Sequence, residues 1–196
     1  MSLEVFFDCS SPWTYLGFEN VQTFGFEIAW KPILVGGVFN SINPSVYESR
    51  SNPVQAKARY LTKDLADWAR YCGLNIKFPP TVFPVNSVKA MRGCLVAVEQ
   101  AKLVDFARAA FQAYWSRDED ISQDDVMRSV CKAAGVDADW LMQAIARPEI
   151  KRALRDNTEE LIRRGGFGSP TFFVNGDDMY FGNDRMPLIE RKLGLS

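Results

Sequence analysis

The sequence predicts an α/β fold in which a small sheet is interrupted by a large all-helical block. Three observations carry this reading. The first 35 residues read as strand, helix, strand; helical spacing runs from about Gly36 to Gly165; and strand chemistry returns after Gly168. The two sheet-forming ends of the chain must therefore meet in space.

The elements follow in order. "LEVFF" (3–7) is a short apolar run rich in strand-forming residues. A helix then runs from Pro12 to about Thr23, with Ser11 as N-cap and Pro12 at the first helical position, where its missing N–H costs nothing. Gly25 ends it, and "FEIAWKPIL" (26–34) supplies a second strand whose Pro32 suggests an edge or a bulge. This is a βαβ unit.

In the helical block, "VQAKARYLTKDLADWARYCG" (54–73) sets Ala58, Leu61, Leu65, Trp68, Ala69 and Cys72 on one stripe and stops at Gly73. The proline-rich "IKFPPTVFPVNS" (76–87) predicts an extended crossover. Helices are predicted over 87–102, 104–117, 122–135 and 138–146, and Pro148 opens a last one. "PTFFV" and "DMYFG" flank the turn residues "NGDD" as a hairpin, and a closing helix starts near Asn183-Asp184. Together these describe a thioredoxin-like domain formed by 1–36 and 166–196, with 37–165 as a helical insertion domain.

A chain of 196 residues with 47% hydrophobic content can bury a proper core. Lysine plus arginine number 23 against 24 acids, so no long-range field attracts nucleic acid or an anionic membrane. No apolar run approaches the roughly 20 residues that span a bilayer. The start "MSLEVFFDCS" lacks the basic and apolar regions of a signal peptide, which predicts a cytoplasmic location. Cys9, Cys72, Cys94 and Cys131 are scattered with no C-x-x-C spacing, and histidine is absent altogether. These facts argue against a bound metal, disulfide exchange and histidine-based nucleophilic catalysis.

Three points of the sequence converge on a peptide-like ligand. Ser11 stands at a helix N-terminus, where free N–H groups and the macrodipole favour an anion, although a Ser-Pro start is also an ordinary cap. In "GSPT" (168–171), Pro170 heads a strand just after a helix. Such a proline is commonly a trans strand starter, but in a thioredoxin-type core it is cis and faces the helix start, leaving the Ser169 backbone to pair with an extended peptide. In "FGNDR" (181–185), Asn183 and Asp184 either simply cap the last helix or receive the α-amino-acid end of a peptide, the helix start taking its carboxylate and Asp184 its ammonium.

"SPWTYLG", "KARYLTKDLADWARYCGLNIKFPPT" and "GSPTFFVNGDDMYFGNDR" resemble, in order and spacing over nearly the whole chain, the 2-hydroxychromene-2-carboxylate isomerases. These are glutathione-dependent enzymes of aromatic degradation, naphthalene catabolism among them, related to kappa-class glutathione transferases. The resemblance implies that Ser11 donates a hydrogen bond to the glutathione sulfur, that Ser169 before Pro170 pairs with its cysteinyl backbone, and that Asn183 and Asp184 hold its γ-glutamyl end. It implies further that Lys57 meets the glycyl carboxylate, that Asn52 is a second binding residue, and that the assembly is a homodimer. Trp13, beside Ser11, is a candidate wall of the pocket for a small aromatic substrate, or simply packs.

On this reading the missing thiol of "SPWT" is brought in as reduced glutathione, and Ser11 stabilises a thiolate rather than being a nucleophile. The implied reaction converts 2-hydroxychromene-2-carboxylate, or a related intermediate, to trans-o-hydroxybenzylidenepyruvate by reversible thiolate addition. A kappa-class-like transferase and a redox-silent, non-catalytic thioredoxin-like binding module stand as alternatives.

Overall fold

The structure is a computed structural model and describes residues 1–195. Ser196, the last residue of the expected thioredoxin-like segment, lies outside them. Strand β1 (Leu3–Phe7) leads into helix α1 (Pro12–Gln22) and strand β2 (Ala29–Pro32). Helices α2 (Val35–Ile42), α3 (Ser45–Ser51), α4 (Gln55–Tyr71), α5 (Val88–Ala97), α6 (Leu103–Phe111), α7 (Asp124–Ala134), α8 (Ala138–Ala144) and α9 (Pro148–Arg163) follow. The chain closes with β3 (Thr171–Val174), β4 (Asp178–Phe181) and α10 (Met186–Lys192).

The sheet order is β2-β1-β3-β4. β1 runs parallel to β2, with Val5 opposite Trp30, and antiparallel to β3, with Val5 opposite Phe172; β3 and β4 form the expected hairpin. Strand alternation then divides the side chains between two faces. Leu3, Val5, Phe7, Phe172 and Val174 join the main core, which continues through Phe18 of α1 to Phe106 and Phe111 of α6 and Val130 of α7. Phe6 and Phe173 face the other way and pack with Ile33, Val38 of α2 and Leu161 of α9. Both faces are therefore covered by helices of the 37–165 segment.

Several local expectations are corrected. β2 is shorter than 26–34 because β1, its only partner, offers pairing from Glu4 to Phe7 and ends there. Leu34 then serves as N-cap of α2. Helices α2 and α3 occupy 35–51, where no individual helix is predicted. Of the α4 stripe only Leu65 and Ala69 are buried, and Leu61 is exposed at the rim of a cavity. The helix expected over 104–117 is α-helical to Phe111 and widens into a π turn over Gln112–Ser116. The closing helix begins as a 3₁₀ turn, Asn183–Arg185.

That π turn matters for position. It buries Trp115, whose Nε1 donates to the carbonyl of Cys9 at 2.9 Å, while the Cys9 N–H meets Sδ of Met91 on α5 at 3.2 Å. The helical segment thus grips the β1–α1 turn from two sides. Close packing holds the middle of α1 near β3 as well: a Cβ at Gly17 would stand 3.1 Å from Cγ of Pro170 and 3.3 Å from Phe172, tight enough to push those side chains aside by a few tenths of an ångström.

Candidate active site

Ser11 is the N-cap of α1, and its Oγ accepts from the Thr14 N–H at 3.2 Å, as the sequence predicts. The same hydroxyl donates to the carbonyl of Ser169 at 3.2 Å. Ser169 is buried, and its Oγ accepts from the Asp8 N–H at 3.1 Å and lies 2.7 Å from the Thr14 hydroxyl. The Ser169–Pro170 bond is cis. Ser11, Ser169 and Pro170, from opposite ends of the chain, are thereby drawn into one network.

Beside this network lies Asp8, only 1% exposed, on the residue that follows β1. Its carboxylate accepts from the N–H groups of Ser10 at 2.9 Å and Val35 at 2.8 Å and faces the Ser87 hydroxyl. Burial pushes its pKa up, and these donors only partly oppose that shift.

Asp8, Ser11 and Ser169 form the floor of a cavity of about 620 Å³, a size suited to a small organic ligand. Its walls are mostly apolar, with Trp13, Phe39, Phe78 and Phe83 among them. Arg50 of α3 stands at the rim, its guanidinium 5.6 Å from the Phe39 ring centre and 5.3 Å from that of Phe83. Among the described residues no carboxylate pairs with it.

The crossover that carries Phe78 and Phe83 is pinned by Asp118. This carboxylate accepts from the Thr81 N–H at 2.7 Å and its hydroxyl at 2.6 Å, and pairs with Lys77. Lys77 first and Thr81 second lower the Asp118 pKa to about 2.

The remaining predicted residues lie further out. Lys57 is exposed on α4 and lines a shallower cavity of about 420 Å³ that shares Trp13 and Leu61 with the main one. Asn52 is exposed at the C-terminus of α3, outside the lining of the main cavity. Asn183 is 4% exposed and its Nδ2 has no hydrogen-bond partner; Asp184 is exposed and paired with Arg185. Neither lines the main cavity, although their 3₁₀ turn packs against α1.

Sequence reasoning missed Asp8 and Arg50. The acid that ends "LEVFFD" was a visible signal for the first, while Arg50 carried none, because the aromatic residues that frame it come from elsewhere in the chain. Cys9, Cys94 and Cys131 are buried, and all four cysteines are free thiols. Burial, with Cys94 alongside, pushes the Cys9 thiol well up, and burial raises Cys131 to about 11. Neither the Cys9 nor the Cys131 thiol is activated.

A family model described as the DSBA-like thioredoxin domain matches residues 2–194. The chain belongs to that family. Its relatives include glutathione S-transferase kappa 1 of Homo sapiens, 29% identical over 212 residues that cover 98% of this chain and 91% of the relative. The 2-hydroxychromene-2-carboxylate isomerase of Pseudomonas putida is 25% identical over 201 residues, 99% of this chain and 95% of that protein. A solved structure of 2-hydroxychromene-2-carboxylate isomerase superposes with a TM-score of 0.82 at 25% identity, covering 99% of this chain and 95% of the other. This DsbA-like member thus stands among proteins named as glutathione transferases and isomerases, and its α1 turn holds serine and no cysteine pair.

Among the described residues no group of His, Cys, Asp and Glu gathers as metal ligands, and no helix is long and apolar enough to cross a membrane.

Proposed function

We propose that the protein is a glutathione-dependent isomerase acting on 2-hydroxychromene-2-carboxylate or a related aromatic-degradation intermediate. The observation that carries this reading is Ser11, a hydroxyl at the N-terminus of α1 that opens onto a largely apolar cavity of about 620 Å³. Relatives named as that isomerase support it.

The residues fit reduced glutathione. The Ser169 carbonyl retains a lone pair beyond its bond to Ser11, and Asn183 Nδ2 is a buried donor without an acceptor. Lys57, Asn52 and Asp184 complete the proposed set of glutathione contacts from the periphery. Bound glutathione supplies a thiolate that adds reversibly to a conjugated substrate. Ser11 turns its proton from the Ser169 carbonyl towards the sulfur, and the dipole of α1 favours the negative charge there. Trp13, Phe39 and Phe78 exclude water, and Arg50 receives the substrate carboxylate. The same reading extends to a cytoplasmic homodimer, to a role in naphthalene-type catabolism, and to 1–36 with 166–196 as a thioredoxin-like domain beside the 37–165 helical insertion domain.

A kappa-like transferase is the second reading, favoured by the 29% identity to the human kappa enzyme. Incubation with reduced glutathione and 2-hydroxychromene-2-carboxylate separates the two, followed by product absorbance and thiol titre. Isomerase action yields trans-o-hydroxybenzylidenepyruvate at constant thiol; conjugation of electrophiles with matching loss of thiol assigns the transferase. A protein that does neither, and does not bind glutathione by isothermal titration, is the non-catalytic module.

A further inference from the structure

Behind α2, a third cavity of about 360 Å³ lies between α2, α5 and α9. Leu34 and Gly37 line both this cavity and the main one, so this stretch is a partition between them. The α9 face contributes Lys151, Arg155 and Glu159 at four-residue steps, which bring them to one side of the helix, and Arg92 enters from α5.

Three cations and one carboxylate therefore line a single hollow. Among the described residues none of the three cations lies within ion-pair distance of a carboxylate. Nε of Arg92 is shut off from solvent without any hydrogen-bond partner. Like charges held together repel, and a buried donor with no acceptor is costly; one anion relieves both.

The walls are well anchored. Thr158 Oγ1 accepts from the Leu34 N–H at 3.0 Å, and Asn157 Nδ2 donates to the Pro32 carbonyl at 3.0 Å, which ties α9 to the β2–α2 junction. At Gly37, α2 lies close to α9: a Cβ there would stand 3.4 Å from Cγ2 of Thr158, in van der Waals contact.

We propose that this hollow binds a phosphate-bearing ligand, independently of the main cavity. A carboxylate offers two oxygens and one charge. A phosphate monoester offers three terminal oxygens and close to two negative charges, matching two guanidinium forks and an ammonium set against Glu159. The space beyond the phosphate accommodates a small organic group.

The test is isothermal titration of the full-length protein with inorganic phosphate at millimolar concentration, with ionic strength held constant by sodium chloride. Wild type is expected to bind. The double variant Lys151→Gln/Arg155→Gln, which alters exposed side chains of α9 and leaves Leu154 and Thr158 in place, is expected to lose affinity at least tenfold. Arg92→Gln is expected to lose it too, and Arg50→Gln, in the main cavity, to keep it. Absence of phosphate binding in wild type overturns the proposal, as does equal binding by the folded double variant. Loss of binding in Arg50→Gln alone also overturns it, by assigning the phosphate to the main cavity.

Discussion

The floor and the rim of the main cavity are built on different principles. At the floor, Asp8, Ser11, Thr14 and Ser169 are joined by hydrogen bonds between the two ends of the chain, and three of the four are buried. The rim is made by the short helices α2 and α3 and the 76–87 crossover, where Arg50 rests on two aromatic rings and, among the described residues, no carboxylate holds it. A network with its donors and acceptors satisfied fixes geometry, whereas an unpaired cation on exposed helices is free to respond to what enters. Chemistry is therefore expected from the floor and selection from the rim.

Ser11→Ala is the sharpest way to break that division. On the proposed function, kcat/KM falls about 10²-fold, as for loss of a donor to a developing anion, and the ultraviolet thiolate band of bound glutathione weakens at neutral pH. A rate left unchanged would move the chemistry away from the floor.

Asp8→Asn comes next. It removes one acceptor from the pair that meets the Ser10 and Val35 N–H groups, and is expected to cost about 1–3 kcal/mol in urea unfolding. Its pH dependence is distinctive. Because burial raises the folded-state pKa of Asp8, the folded protein holds a proton that the unfolded chain has already released. The Asp8 contribution is complete below the ordinary carboxylate value of about 3.9 and is lost as pH rises through the raised folded value. The Asn variant should lack that decline.

Arg50→Gln tests the rim. An anionic aromatic substrate should show KM raised about tenfold with kcat nearly unchanged, and an uncharged electrophile should show neither effect. A fall in kcat for both substrates would mean that the rim shares in the chemistry.

The smallest effect concerns Asp118, which holds the crossover wall. Its pKa is lowered, so its contribution is present above the ordinary carboxylate value and is lost as pH falls towards about 2. Asp118→Asn should lower stability modestly at neutral pH, flatten that acid limb of the stability curve, and loosen hydrogen-exchange protection at Thr81.

How far the sequence revealed these regions follows from the range of the forces that build them. β1, the start of α1 and the β3–β4 hairpin rest on local signals, namely apolar runs, Ser-Pro and "NGDD", and all three are found in the structure. Helices α2 and α3, of 8 and 7 residues, escaped because "VGGVFNSI" carries two glycines and α3 buries none of its residues. Such short helices are held by tertiary contacts rather than by propensity. The acid ending "LEVFFD" is visible in the sequence, but the burial of Asp8 depends on Val35 and Ser87, which only folding brings near. Lys57 and Asn52 were assigned by resemblance alone, and their positions outside the main cavity could not be read from spacing.

The strand order has a consequence for the chain in the making. Leu3 pairs with Val174, so one edge of β1 has no partner until the chain has been made as far as β3. At about 5–20 residues per second, the nascent segment spends on the order of ten seconds with the backbone donors and acceptors of "LEVFF" open to any passing strand. During synthesis β1 is expected to depend on chaperone cover until β3 has been made.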